Sequence, residues 1–260
     1  MKKDEEKYEE FPIEEFEGLE HVNFEAQILY KRYKDNRKYT EMLKMDLQGL
    51  KTHKDIPTWF NAMAENMLNY LCLEVGKQRY AITEIEFYLC DAQHPDPYVH
   101  QHDQQLTWGQ WYFNGMGLDL TFGNIKRHAG ILIRGIKNMR TDTYTSGVTK
   151  VLQELTKRAG SVFNNYGINI VDKTEAEMAQ FKSSPDSDMH LVSDRIGLTK
   201  KKEDKDDFLN RKYRYIGHVV VEHKFKDKTK VVRQYLVKQD LNNADKEAIC
   251  KTMMGYIIRT

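Results

Sequence analysis

Residues 82–89, ITEIEFYL, alternate apolar and polar side chains with a period of two. That pattern predicts a half-buried strand. On a strand, residues two apart share a face. Ile82, Glu84, Glu86 and Tyr88 therefore line one side, and Thr83, Ile85, Phe87 and Leu89 the other. Two like charges then point the same way from a strand with an apolar reverse face. Either both are solvated, or at least one is a placed group. A carboxylate desolvated beside aromatic rings has a raised pKa and can take a proton from water. The strand predicted at HAGILIRGIK, the clearest in the chain, sharpens the choice. Arg134 stands alone inside it and must find a partner or a polar pocket. Glu86 is the natural partner. The plainer alternative is an arginine that snorkels from a strand end.

The chain is long enough, at 260 residues, for one large domain or two small ones. It is 40% hydrophobic and 11% aromatic, which suffices for a core. Its net charge of +1 gives no global signature of nucleic-acid binding. With 40 lysines and arginines, a local basic face stays open. Cys72, Cys90 and Cys250 are widely spaced and form no CxxC, which fits a reduced, cytoplasmic chain. The start, MKKDEEKYEEF, has no apolar stretch of the signal-peptide kind. No apolar run approaches the roughly 18 residues of a membrane span, so no membrane partner is expected.

A charged tail covers the first ten residues, and one or two helices are predicted up to Leu50. A helix is predicted over TWFNAMAENMLNYLCLEVG, opened by Pro57 and closed by Gly76. WYFNGMGLDLTFGN reads as strand and turn, and SGVTKVLQELTKRAG as a helix capped by Ser146. A short strand is expected at Arg195–Leu198. RKYRYIGHVVVEH and KTKVVRQYLVK read as two strands across a turn, and NNADKEAICKTMMGYII as a final helix. Strands and helices in no strict alternation suggest an α+β fold.

Two further stretches carry chemistry. HPDPYVHQHD gathers His94, Asp96, His100, His102 and Asp103, a set suited to zinc or iron if the loop brings them together. Polar loops also collect histidines for no such purpose. WGQWYFNGMG crowds Trp108, Trp111, Tyr112 and Phe113 at a flexible turn. Such rings can stack on bases or wedge into a duplex, and they can equally be core. The KKKEDKDD run reads as a solvated loop. No P-loop, GxGxxG or GxSxG occurs.

ITEIEFYL, DPYVH, NGMG, GILIRGI, GVTKVLQEL and RIGL follow one another in an order that resembles the alkyladenine (3-methyladenine) DNA glycosylase family. That family shows a Glu-x-Tyr-Leu strand, Asp-Pro-x-x-His, a Tyr-Gly-Met turn, a Leu-Arg-Ala strand, a Gly-x-x-Lys-Leu helix start and an Arg-Val-Gly strand. The resemblance covers roughly residues 60–218. It implies a single α+β domain with a curved antiparallel sheet at 56–220, preceded by a charged tail and helical extension at 1–55. A strand and helix extension follows at 221–260.

The resemblance also implies roles. Glu86 is then the general base that deprotonates the attacking water, and Arg134 helps hold that water. Tyr88 and His100 sandwich a flipped base, as flat walls must. Ile196 offers a backbone carbonyl to the water. Trp111 and Thr121 fall on further pocket positions. Tyr112, Phe113, Asn114 and Met116 fall on the turn that enters DNA. The implied enzyme is a monofunctional glycosylase of base-excision repair with no metal, no cofactor and no lysine nucleophile. Its partner is DNA, single-stranded or modified. Its place is the cytoplasm, with the nucleoid in a prokaryote, and the N-terminal helices are a possible protein-docking surface. The departures are specific. Asn114 replaces the wedging tyrosine, Trp111 a second tyrosine and Thr121 an asparagine, and HQHDQQLTWGQ holds none of the family's arginines. Those arginines would meet phosphates. A binding module without hydrolysis is the alternative from another class, and a metal-dependent hydrolase on His94, His100, His102 and Asp103 is a third.

Overall fold

The computed structural model describes residues 56–159, 167–181 and 190–258. The charged tail and the helices expected up to Leu50 lie outside these residues, as does any docking surface on them. Helix α1, Ile56–Glu65, starts with Pro57 in its first turn and buries Trp59, Phe60 and Met63. It widens into a π-turn at Asn66–Tyr70 and gives way to strand β1, Leu71–Val75. The helix expected to run on to Gly76 therefore stops early. LCLEV is a short apolar run, which periodicity alone cannot assign to helix or strand. Gly76, at φ +60°, turns the chain from β1 into β2 and does not cap a helix. The buried Lys173 amine holds the ending of the helical stretch by donating to Leu68 O at 2.8 Å and Asn69 O at 3.1 Å.

Strands β2 (Gln78–Asp91) and β6 (His128–Asn138) form the central antiparallel pair. β3 (His94–Pro95) folds back on β2. β4 (Trp108–Phe113) and β5 (Leu118–Phe122) form the hairpin read from WYFNGMGLDLTFGN, and β5 joins β6. β7 (Thr143–Ser146) pairs the far end of β6. β8 (Ile168–Asp172), not foreseen, extends β1. β10 (Arg214–Ile216) pairs with β2, and β9 (Leu191–Ser193) pairs with β10. The result is a mixed α/β fold with one curled sheet in which every pairing is antiparallel.

The β2–β6 register skips Thr83 on one strand and Arg134 on the other. A bulge adds one residue and so reverses which face follows. This corrects the expected partition of ITEIEFYL. Ile82 joins Ile85, Phe87 and Leu89 in the main core, while Glu84, Glu86 and Tyr88 stay on the opposite face. Gly135 is required there, because a Cβ on it would lie 2.7 Å from Thr83 Oγ1 and 2.9 Å from Glu84 Cβ.

The core face is covered by aromatic rings. Phe60 of α1 stacks on Phe87 at 4.4 Å and meets Tyr213 edge-on at 4.9 Å. Helix α2, Val148–Ala159, adds Val151 and Leu155. Ser146 does not cap it; it ends β7, and its buried Oγ has no hydrogen-bond partner among the described residues. Helix α3, Glu175–Phe181, was not foreseen. The segment KTKVVRQYLVK is helix α4, Lys228–Lys238, not a strand. Its buried Val231, Val232 and Leu236 lie on one helical face, although valine by itself favours strands. Helix α5, Asn243–Met254, is the final helix, and the side chain of Asn242 accepts from Asp245 N as its cap. Helices α4 and α5 form a second core with Leu191 and Ile216. The strand expected at Arg195–Leu198 is shifted, since pairing ends at Ser193.

Candidate active site

Glu84 and Glu86 are both buried. Burying two carboxylates side by side requires cations close by. The skipped residue of β6 supplies the first. Arg134 Nε lies 3.0 Å from Glu84 Oε1 and 3.3 Å from Glu86 Oε1, and its Nη1 donates to Glu86 Oε2 at 3.4 Å. The second is Arg214 of β10, fully buried, whose Nε donates to Glu84 Oε1 at 2.8 Å. Arg214 also donates to Ser193 Oγ at 3.3 Å and Lys226 O at 3.0 Å. Two carboxylates and two guanidinium groups thus cancel. Glu84 is the structural member of the set, and Glu86 faces elsewhere.

Glu86 receives two further hydrogen bonds. The Tyr88 hydroxyl donates to Oε2 at 2.9 Å, and the Ile196 backbone N–H donates to Oε1 at 2.7 Å. Ile196 thus meets Glu86 through its nitrogen, where a carbonyl role had been expected. Burial pushes the Glu86 carboxyl above its usual range, and the Arg134 charge opposes that rise. Burial likewise raises the Tyr88 phenol, with the Glu86 charge adding to it.

Tyr88, Arg134 and Ile196 open onto a cavity of about 460 Å³. His100, Asn114 and Met116 also line it. The fold therefore brings together all these residues of the sequence reading, with Glu86 directly behind the wall. A volume of this order suits a small molecule or one extruded base. The ring of Tyr88 is backed by the Arg195 guanidinium, 4.7 Å from its centroid. Arg195 is pinned by Asp96 at 2.6 Å, both fully buried.

Other expected residues stand elsewhere. Trp111 donates its indole N–H to Ile168 O at 2.6 Å and packs on the core, not in the cavity. Thr121 is buried and bound to the Gln110 backbone, where the register shift of β4 against β5 leaves Gln110 unpaired. Tyr112 is buried and stacks on His102 at 4.9 Å, so it does not project toward a partner. Phe113 and Met116 do project, at 52% and 66% exposure, flanking the turn. Asn114 makes that turn by accepting Met116 N at 3.2 Å and Gly117 N at 2.7 Å on its Oδ1.

The metal set is dispersed. His94 is buried between Leu89 O and Tyr213 OH, Asp96 is committed to Arg195, and His102 caps the turn at Asp103–Leu106. Among the described residues no group of His, Cys, Asp and Glu has a metal-binding arrangement. The KKKEDKDD run is less free than expected. Asp204 accepts from Tyr98 OH and from Phe208 N and Leu209 N.

Sequence reasoning missed Asp119, Gln105 and Tyr98 on the cavity wall, and Arg214 behind it. Asp119 sits inside LDLTF as Arg134 sits inside GILIRGI, so the same rule for a lone charge in an apolar strand applies to it. Burial pushes its carboxyl up to about 7, against a hydrogen bond from Asn114 and with the Glu86 charge adding to the rise.

The fold and site together define a mixed α/β protein with a curled antiparallel sheet and a buried carboxylate–guanidinium cluster behind one cavity. No protein-family model matches the chain. It is 27% identical, over 173 residues, to an uncharacterized protein of Acanthamoeba polyphaga mimivirus, an alignment that covers 55% of this chain and 80% of that protein. Among the described residues no helix is long and apolar enough to cross a membrane.

Proposed function

We propose that the cavity takes one nucleobase extruded from a DNA strand and that the protein hydrolyses its N-glycosidic bond. A single observation carries this reading: Arg134, Tyr88, His100 and Ile196, drawn from distant segments, line one cavity, and Glu86 touches Arg134, Tyr88 and Ile196 from directly behind its wall. Glu86 takes a proton from water, and the water oxygen bonds to the sugar carbon as the carbon–nitrogen bond breaks. The bonding pair leaves with the base. Negative charge at Glu86 also steadies the cation-like sugar. Arg134 keeps the carboxylate ionised against desolvation. Phe113 and Met116, exposed beside the cavity, are suited to wedge between bases. The Arg134–Glu86 contact and the absence of Trp111 from the cavity both favour hydrolysis over a vestigial pocket.

The test is abasic-site formation on single- and double-stranded DNA carrying modified bases. Glu86→Gln is expected to lower it by about 100-fold or more. Equal rates in the two proteins would remove Glu86 from the mechanism. In the wild type, the acid limb of the rate profile is expected above the ordinary carboxylate range, because burial raises Glu86. A second reading, base binding without hydrolysis, draws on one observation: Glu86 is fully buried and both oxygens already accept hydrogen bonds. It calls for base-dependent binding with no abasic product.

A further inference from the structure

The cavity wall carries a second polar pair, remote in sequence from Glu86. Asp119 and Gln105 are 3% and 1% exposed, and both line the cavity. Their hydrogen bonds fix which atoms face it. Backbone N–H groups of Met116 and Gly117 occupy Asn114 Oδ1, so Asn114 must turn its Nδ2 outward, and that nitrogen donates to Asp119 Oδ1 at 3.3 Å. Asp119 Oδ2 is left over. Likewise His102 N donates to Gln105 Oε1 at 3.2 Å, which fixes the amide and leaves Nε2 over. Among the described residues neither Oδ2 nor Nε2 has a hydrogen-bond partner. Both lie 3.3 Å from the place where a Cβ on Gly130 would stand, so both come up against the same bare stretch of β6.

We infer that Asp119 and Gln105 form a reading edge, one acceptor beside one donor, for a base that presents an N–H next to a ring nitrogen or carbonyl. Buried groups of this kind discriminate because the wrong ligand leaves them unpaired. The inference deepens the proposed function and rests on the same cavity. It makes the site selective for bases whose amidine or lactam edge is intact, with any modification lying elsewhere on the ring. A base alkylated on that edge is rejected.

The experiment uses the full chain and free bases in titration calorimetry: adenine, purine (which lacks the amino group) and 6-dimethylaminopurine. Wild type is expected to bind adenine about tenfold tighter than either of the others. Asp119→Asn keeps an oxygen for Asn114 but turns an amide nitrogen to the cavity, so the preference for adenine over purine disappears. Gln105→Met removes the donor, and with it the oxygen that accepts from His102 N. It weakens adenine and purine together and keeps their ratio, which a general loss of packing at Asp119 would not do. An unchanged adenine preference in Asp119→Asn overturns the inference and leaves the glycosylase reading standing, as does wild type that forms abasic sites but binds no free base. Base binding that depends on Asp119, with no abasic product from wild type on any modified DNA, overturns the hydrolytic reading instead.

Discussion

Arg134 serves two buried carboxylates at once, and its removal is felt at both. Without it Glu84 retains Arg214, but Glu86 keeps only the Tyr88 hydroxyl and the Ile196 amide. Breaking one member out of a buried ion cluster costs about 3–5 kcal/mol, because a charge is stranded. Arg134→Met is therefore expected to lose about that much stability in urea unfolding at pH 7. Glu86→Gln, which strands no charge on Glu84, is expected to lose less. A loss under about 1 kcal/mol for Arg134→Met would mean that the guanidinium is not what holds the two carboxylates. The sequence told half of this. An arginine inside GILIRGI has to be paired, and Glu86 was the partner the sequence offered, with Glu84 given no role. Arg214 was not legible, because the first five residues of RKYRYIG are all basic or tyrosine and none stands out as buried.

At the scale of elements, the strands that carry the site were readable and their irregularities were not. β2, β6 and the β4–β5 hairpin stand where alternation puts them. The paired skips at Thr83 and Arg134 leave no mark in a pattern of apolar and polar residues, yet they aim Arg134 at the carboxylates. The glycines are the visible trace. Gly135 accommodates the bulge, and Gly123 admits the turn that carries Gln105. A Cβ on Gly123 would stand 1.8 Å from Gln105 O and 2.3 Å from Arg127 O, both backbone atoms. Gly123→Ala must therefore move the turn at Asp103–Leu106. The expected result is a loss of about 3 kcal/mol or more in urea unfolding, with weakened adenine binding. Stability within about 0.5 kcal/mol of wild type would show that the turn yields freely. α4 was misread for a different reason. Its valines favour strands locally, and only packing against Leu191 and Ile216 decides for the helix.

At the scale of the molecule, buried histidines among the described residues bear on the response to acid. Burial lowers His190 to about 4, and His218 and His223 to about 3, from an ordinary 6.5. Between 6.5 and about 4 the unfolded chain therefore binds protons at these sites that the folded chain refuses. Stability rises with pH wherever the unfolded state holds more protons, by about 1.4 kcal/mol per pH unit for each proton. Asp119 acts the other way. Its folded value of about 7 lies above the ordinary 3.8, so in that window the folded chain holds one proton that the unfolded chain lacks. Glu86, also raised, opposes in the same sense. His94 is lowered by burial as well, so four histidines stand against two carboxyls and leave a net loss of stability on acidification. The urea midpoint is thus expected to fall from pH 6.5 to pH 4.5 at fixed ionic strength. In Asp119→Asn one opposing proton is gone, and the fall steepens, by on the order of 1 kcal/mol per pH unit. A wild-type midpoint that is flat or rises on acidification, or a variant with the wild-type slope, would contradict this balance. A steeper slope would place a proton on Asp119 in the folded protein under mildly acidic conditions. The carboxyl at the reading edge then changes from acceptor to donor as the pH falls, and the preference of the cavity for adenine over purine is expected to weaken from pH 8 to pH 6.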